Sequence, residues 1–339
     1  MSKALKIWFL IGSALVLVGA LIFVCCLAIG GWNITSISDT SYETTVYDFT
    51  EDISNILIHG DTADIKLAPS SDQTTKVECL ESKNESYSVT VTDGTLNILS
   101  RDSAWYNSIT FFSFTSPKIT VYLPQGEYNA LTIKSDTGDI EIAKQFSFAS
   151  IDIDESTGDV VCYASASDFT KIKATTGNIL VENTATGALD ISVSTGSVSI
   201  TDVTCSGDVK VEVSTGKAGL TNLSCKNLVS IGTTGDIFMK NVTVAEEMSV
   251  ERSTGDVAFD GSYAEKLAIK TDTGDVSFDL SDAAEISVKT DTGSVTGSLL
   301  TCKVFLVRTN TGKIEVPDFI TGGRCEITTD TGDIIITVN

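Results

Sequence analysis

The sequence predicts an all-β protein, a β-solenoid built from 19–20-residue coils and preceded by one transmembrane α-helix. Three observations carry that reading. Thr-Gly recurs eleven times between Thr137 and Gly332 at intervals of 19 or 20 residues, apolar residues occupy fixed columns on either side of each glycine, and an uncharged apolar run fills positions 7–31. A period that short means that each unit is one layer of a stack.

The N-terminal run comes first. Lys3 and Lys6 precede it, and no charged residue follows until Asp39. Some twenty apolar residues rising about 1.5 Å each match a hydrocarbon core of about 30 Å. Lysines on the short side place the N-terminus in the cytoplasm and the remainder outside. The expected division is therefore 1–6 cytoplasmic, 7–31 a signal-anchor helix, 32–44 a linker and 45–339 an extracellular solenoid, with regular coils over 131–339. A cleaved signal peptide is the competing reading, with Ala28-Ile29-Gly30 as its cleavage site, although such peptides carry an apolar stretch of about 7–15 residues. Lipidation at Cys25 or Cys26 would want a small residue where Val24 and Cys25 stand.

In the regular coils, apolar residues stand seven and five positions before each glycine, as at Leu131 and Ile133, Ile151 and Ile153, Val209 and Val211, or Phe305 and Val307. A second pair stands two and four positions after it, as at Ile140 and Ile142, Val257 and Phe259, or Ile334 and Ile336. Spacing by two is the strand period, so each unit reads strand, turn, strand, loop. Glycine suits a bend that needs positive φ, and the preceding threonines are expected to stack as a ladder. One unit cannot bury its own apolar face, so neighbours stacked about 4.8 Å apart must supply the stability, giving a rod of roughly 50–60 Å.

Two earlier segments fit less regularly. Ile56 and Ile58, Asp61-Thr62-Ala63-Asp64, then Ile65 and Leu67 repeat the unit with alanine in the glycine place, while Tyr87, Val89, Asp93-Gly94, Leu96 and Ile98 repeat it with aspartate for threonine. Spacings there imply insertions. The largest, over 100–116, holds Trp105, Tyr106, Phe111, Phe112 and Phe114. It is expected to cap the hydrophobic end of the stack, or else to form a partner-binding surface.

All 45 acidic residues lie beyond the apolar run, against 21 of the 23 basic ones, so the exported part carries about −24. That sign disfavours nucleic acid and discourages rods from pairing edge to edge. Cys79, Cys162, Cys205, Cys225, Cys302 and Cys325 fall in columns of small or core residues and read as buried free thiols; Cys205 and Cys225, on adjacent coils, are the one pair placed for a disulfide.

Catalytic machinery is not evident. The single histidine, His59, reads as a turn residue beside Gly60, and no zinc spacing, phosphate loop or nucleophile elbow occurs. The sharpest polar feature is aspartate at the corners. One column, two residues before the glycine place, holds Asp61, Asp136, Asp272, Asp291 and Asp330; another, just after it, holds Asp64, Asp139, Asp159, Asp236, Asp256, Asp275 and Asp333. Like charges about 5 Å apart must splay into solvent or be bridged by a cation. Calcium suits an all-oxygen site, and Asp272, Asp275 and Asp291 form the densest cluster; no other cofactor is expected. Lys217, Lys313, Asn178, Ser197 and Ser294 interrupt the column, which favours the solvated face.

At Ile119-Thr-Val-Tyr-Leu-Pro124 and Leu131-Thr-Ile-Lys-Ser-Asp-Thr-Gly-Asp-Ile-Glu-Ile142 the chain resembles the bacterial "putative adhesin" family of β-strand-repeat domains of unknown function, over roughly 45–339. The resemblance implies a single-stranded right-handed β-helix or related solenoid on a bacterial envelope, often behind one N-terminal membrane segment, and carries over no catalytic residue. The expected function is a non-catalytic, adhesin-like binding or scaffold module. Sensing of envelope stress through a protein partner is a second reading, and a polysaccharide-active enzyme, which would need two close carboxylates in a groove, a third. Partners expected are the membrane, an extracellular protein or glycan, and a second copy of the chain.

Overall fold

A computed structural model describes residues 3–29, 42–82, 86–101 and 116–339. Corner glycines organise everything after residue 130. All eleven adopt positive φ, between 124° and 157°, and an added Cβ at each, from Gly158 onward, would strike the carbonyl of the corner glycine one layer below. The layers are held by parallel pairing in strict register: Leu189 lies between Thr170 and Val209, and Val198 between Ile179 and Ala218. Threonines stack beside the glycines, and ten of the eleven glycine N–H groups, all but that of Gly312, donate to the threonine carbonyl of the adjoining layer, as from Gly196 to Thr215 at 2.9 Å.

The apolar columns form one continuous core. Leu131, Ile133, Ile151 and Ile153 are fully buried, as are Ile142, Val160 and Val181 across the corner. A third strand segment completes each layer, burying Val203 and Cys205, Leu223 and Cys225, or Val242 and Val244. Between the second and third segments lies a corner that the sequence reading missed. Asn183, Asp202, Asn222, Asn241, Gly261 and Leu280 occupy it, six residues after successive corner glycines, all with φ between 45° and 57°. Asparagine, aspartate and glycine tolerate this left-handed conformation; a bulky residue does not. Leu280→Asn is therefore expected to stabilise the protein by about 1 kcal/mol, read as a rise in Tm; an unchanged or lower Tm would mean that Leu280 is not strained.

Layer order departs from chain order at both ends. The Gly332 layer lies on the Gly293 layer, with Ile286 beside Cys325 and Val295 beside Ile334, and the Gly312 layer lies outside it, with Phe305 beside Cys325 and Ile314 beside Ile334. At the other end, the Ala63 layer pairs with the Gly138 layer on one side and with strands Thr95–Ser100 and Lys118–Leu123 on the other. Asp93-Gly94 is not a coil corner. Its φ values of 50° and 70° make a two-residue hairpin turn, and Tyr87–Thr92 runs antiparallel to Thr95–Ser100, as Asp-Gly turns favour. Strand Thr75–Ser82 covers Lys118–Leu123, and Tyr42–Phe49 covers Thr75–Ser82, both antiparallel. Tyr87, Val77 and Cys79 are thereby fully buried and that end is sealed.

Residues 3–29 form one helix, Lys3–Ile29. Its side chains are described at 8, 12–25 and 28, and those of Trp8, Leu15, Leu17 and Leu21 are exposed. Among the described residues no helix is long and apolar enough to cross a membrane, so the span expected over 7–31 is not shown there.

Candidate functional site

The aspartate column just after the corner is a hydrogen-bonded ladder. Asp64 Oδ1 accepts the N–H of Asp139, Asp139 that of Asp159, and Asp159 that of Asn178, at 3.1, 2.9 and 2.7 Å. The ladder continues through Asn178 to Ser197, resumes from Asp236 to Asp256, Asp275 and Ser294, and ends with Asp333 accepting from Lys313. Each side chain thus satisfies a corner N–H of the next layer that no strand pairs. Aspartate, asparagine and serine share this capacity to accept, which explains why they interchange in the column.

Asp272 and Asp291 occupy the column before the glycine on adjacent layers, and Asp275 the column after it; all three are exposed. The structure commits Asp275 through Oδ1 to the Ser294 N–H at 2.7 Å. Among the described residues no group of three or more His, Cys, Asp or Glu side chains is disposed to hold a metal ion. Trp105, Tyr106, Phe111 and Phe112 lie outside the described residues.

His59 does not sit in a turn. It is exposed on strand Asn55–Gly60, beside Leu99 and Lys134, because the strand continues through the buried Gly60. The described cysteines are all free, and Cys79, Cys162, Cys205, Cys225 and Cys325 are buried. Cys302, expected to be buried, is exposed: Gly322 stacks on its carbonyl and brings no side chain to cover it.

A third polar line, three residues before the corner, faces inward: Ser135, Glu155, Arg252, Thr271, Thr290 and Thr329 are all buried. Arg252 folds over Gly232 and donates to Ser230 Oγ at 2.9 Å, and burial lowers its pKa to about 10. Glu155 Oε1 accepts the Thr157 N–H at 3.1 Å while Oε2 has no hydrogen-bond partner. Burial, with the charge of Asp136, raises this carboxyl from 4.5 to about 7, against smaller opposing effects of Ser135 and the Thr157 N–H. Between those values the folded chain holds a proton that the unfolded chain has released, so stability falls as pH rises from about 4.5 to 7 and then levels off, by about 3 kcal/mol in all. Glu155→Gln is expected to flatten that slope in Tm against pH; an unaltered slope would assign it to other groups.

On the outer face, Phe169, Lys171, Asp190, Lys210 and Val229 line a shallow, largely apolar depression of about 450 Å³. The carboxylates that line it are Asp190 and Asp208. Surface charges are joined between layers, as in Lys66–Glu141, Lys240–Asp260 and Lys270–Glu251, pairs worth at most about 1 kcal/mol each.

These features define an all-β repeat solenoid whose polar ladders serve its own backbone. The chain belongs to the Toastrack DUF4097 family, which it matches over residues 53–214 and 204–339. Among solved structures, it is similar to a "putative adhesin" from Parabacteroides distasonis, at 18% identity with 88% of this chain and 98% of that one covered and a TM-score of 0.37. A "putative adhesin" from Parabacteroides merdae gives 11%, 86%, 96% and 0.43, and a "putative lipid binding protein" from P. distasonis 15%, 88%, 98% and 0.35. No curated protein matches the chain at a significant level.

Proposed function

We propose that the chain is a non-catalytic, adhesin-like binding or scaffold module of the cell envelope, held there by the apolar sequence run over 7–31 as a single-pass anchor with its N-terminus in the cytoplasm and its right-handed solenoid outside. The observation that carries the reading is the use of the corner carboxylates: along the ladder their Oδ1 atoms accept N–H groups of the neighbouring layer. A polysaccharide-active enzyme needs a carboxyl of raised pKa in an open groove beside a second carboxylate. Glu155, whose carboxyl burial raises to about 7, is sealed in the core. The apolar run over 7–31, behind Lys3 and Lys6, supports the anchor and its orientation.

Cys302 supplies the test, because it is the exposed thiol of the solenoid. A membrane-impermeant maleimide is expected to label it on intact cells, with the label lost in Cys302→Ser. Labelling only after permeabilisation would overturn the proposed topology. Incubation of the purified chain with envelope polysaccharides is expected to release no new sugar ends, and release abolished by a substitution in the solenoid would overturn the non-catalytic reading.

A further inference from the structure

The two ends of the stack differ in a way that points to a partner. At the sealed end, Leu96, Ile98, Ile119 and Val121 are fully buried beneath antiparallel strands. At the other end, strand Lys303–Thr311 pairs only with Gly323–Thr331, and Ile314–Glu315 only with Ile334–Val338. Among the described residues nothing pairs with their outer edges. The core columns are opened as well: Ile314 is 44% exposed, where its counterpart Val295 is 0% exposed, and Phe305, Val307 and Val316 are only partly buried. Leu306 at 50% and Ile320 at 91% add apolar surface to the same layer.

Charge distinguishes this layer too. The two layers beneath it carry more acid than base: Asp282, Glu285 and Asp291 against Lys289, and Glu326, Asp330 and Asp333 against Arg324. The outer layer sets Lys303, Arg308 and Lys313 against Glu315 and Asp318. Lys303 is turned inward onto Asp282, and Lys313 is joined to Glu315 at 2.6 Å. Two acidic rods meeting at this face therefore escape the repulsion that their more acidic layers impose. Open strand edges normally carry guards against pairing, such as outward lysine or proline. On Lys303–Thr311 the only outward charge is Arg308.

We infer that the Gly312 layer is a self-docking surface whose partner is a second copy of this chain, joined edge to edge through antiparallel pairing of the two Lys303–Thr311 strands about a two-fold axis. Such an edge is complementary to itself. Pairing centred near Val307 sets Arg308 of each copy beside Leu306 of the other, so like charges do not meet, and it continues the hydrophobic core across the junction. This names a partner for the proposed binding module. It rests on that reading only for where pairing takes place, since the contact itself needs no membrane.

The test is the mass of the full chain in detergent under reducing conditions, by light scattering at concentrations up to about 50 µM. A concentration-dependent dimer is expected. Leu306→Lys combined with Ile314→Lys is expected to weaken it by about 30-fold or more, with Tm preserved. Ile320→Asp, at a position too exposed to threaten folding, should weaken it as well. A monomer throughout the range would overturn the inference and leave the surface-module reading standing. A dimer indifferent to all three substitutions, as from association of the N-terminal helices, would overturn it equally. Labelling of Cys302 only after permeabilisation would instead strike the topology and leave the detergent dimer untouched.

Discussion

Gly216→Ala is expected to destabilise the solenoid by about 3–5 kcal/mol, among the largest effects that one added methyl group produces. The residue holds φ at 138°, and its new Cβ would collide with the carbonyl oxygen of Gly196. That carbonyl is backbone, fixed by the register on both sides, so no flexible side chain can give way. The cost falls on a junction between layers, because a stack is held by its nearest-neighbour interfaces. Urea unfolding should therefore shift to lower concentration and lose cooperativity, with a new proteolytic cut near residue 216. Gly219→Ala is the control: its φ is not positive and the nearest atom to an added Cβ is 4.0 Å away. If the two substitutions proved equally mild, the corner would not be the rigid point described.

Asp282→Ala is expected to cost about 3–5 kcal/mol by stranding a buried ammonium group. Lys303 is 2% exposed and its Nζ lies 2.7 Å from Asp282 Oδ1. Asp282 Oδ2 also accepts the Thr301 hydroxyl at 2.7 Å and the Leu300 N–H at 3.2 Å. The pair spans an intervening layer. Lys303 stands beside Gly323, where an added Cβ would meet the Ala284 carbonyl and press on the lysine stem at 3.4 Å. The lysine reaches its partner because that position is glycine. Adding Lys303→Met to Asp282→Ala is expected to recover about 1–2 kcal/mol, since the stranded charge is gone while the Thr301 and Leu300 contacts stay lost. A double substitution no more stable than Asp282→Ala would show that the ion pair is not what the aspartate supports.

The repeat itself was legible because period, corner glycine and apolar columns are local properties written into every unit. Ile151, Ile153, Val160 and Cys162 are buried as the spacing requires. The same parity argument extends two residues further, to the inward line of Glu155 and Arg252, and the recurrence of Asn183, Asp202, Asn222 and Asn241 was there to mark the second corner. What could not be read was the order of layers. Thr311-Gly312 and Thr331-Gly332 carry the same signature, so periodicity cannot say which lies on Gly293. That choice depends on contacts between distant residues, such as Lys303 with Asp282 past Gly323. Asp93-Gly94 misled for a related reason: apolar alternation around Asp-Gly fits a hairpin as well as a coil, and antiparallel partners decide between them. The aspartate column was visible, but its role as acceptor for the next layer's N–H emerges only once the layers are stacked.

The inverted order of the Gly312 and Gly332 layers bears on how the molecule is completed. Coils up to Gly293 can settle in turn as the chain is made, each on a finished neighbour. The stretch 303–320 has no such neighbour when it emerges, because among the described residues its strands pair only with Gly323–Thr331 and Ile334–Val338. It must wait, unsealed, until those later strands slide between it and the Gly293 coil and act as a keystone. A chain stalled short of that insertion offers proteases an unanchored apolar stretch, whereas a finished one pins it to the strands beneath, so the topology distinguishes complete from interrupted molecules.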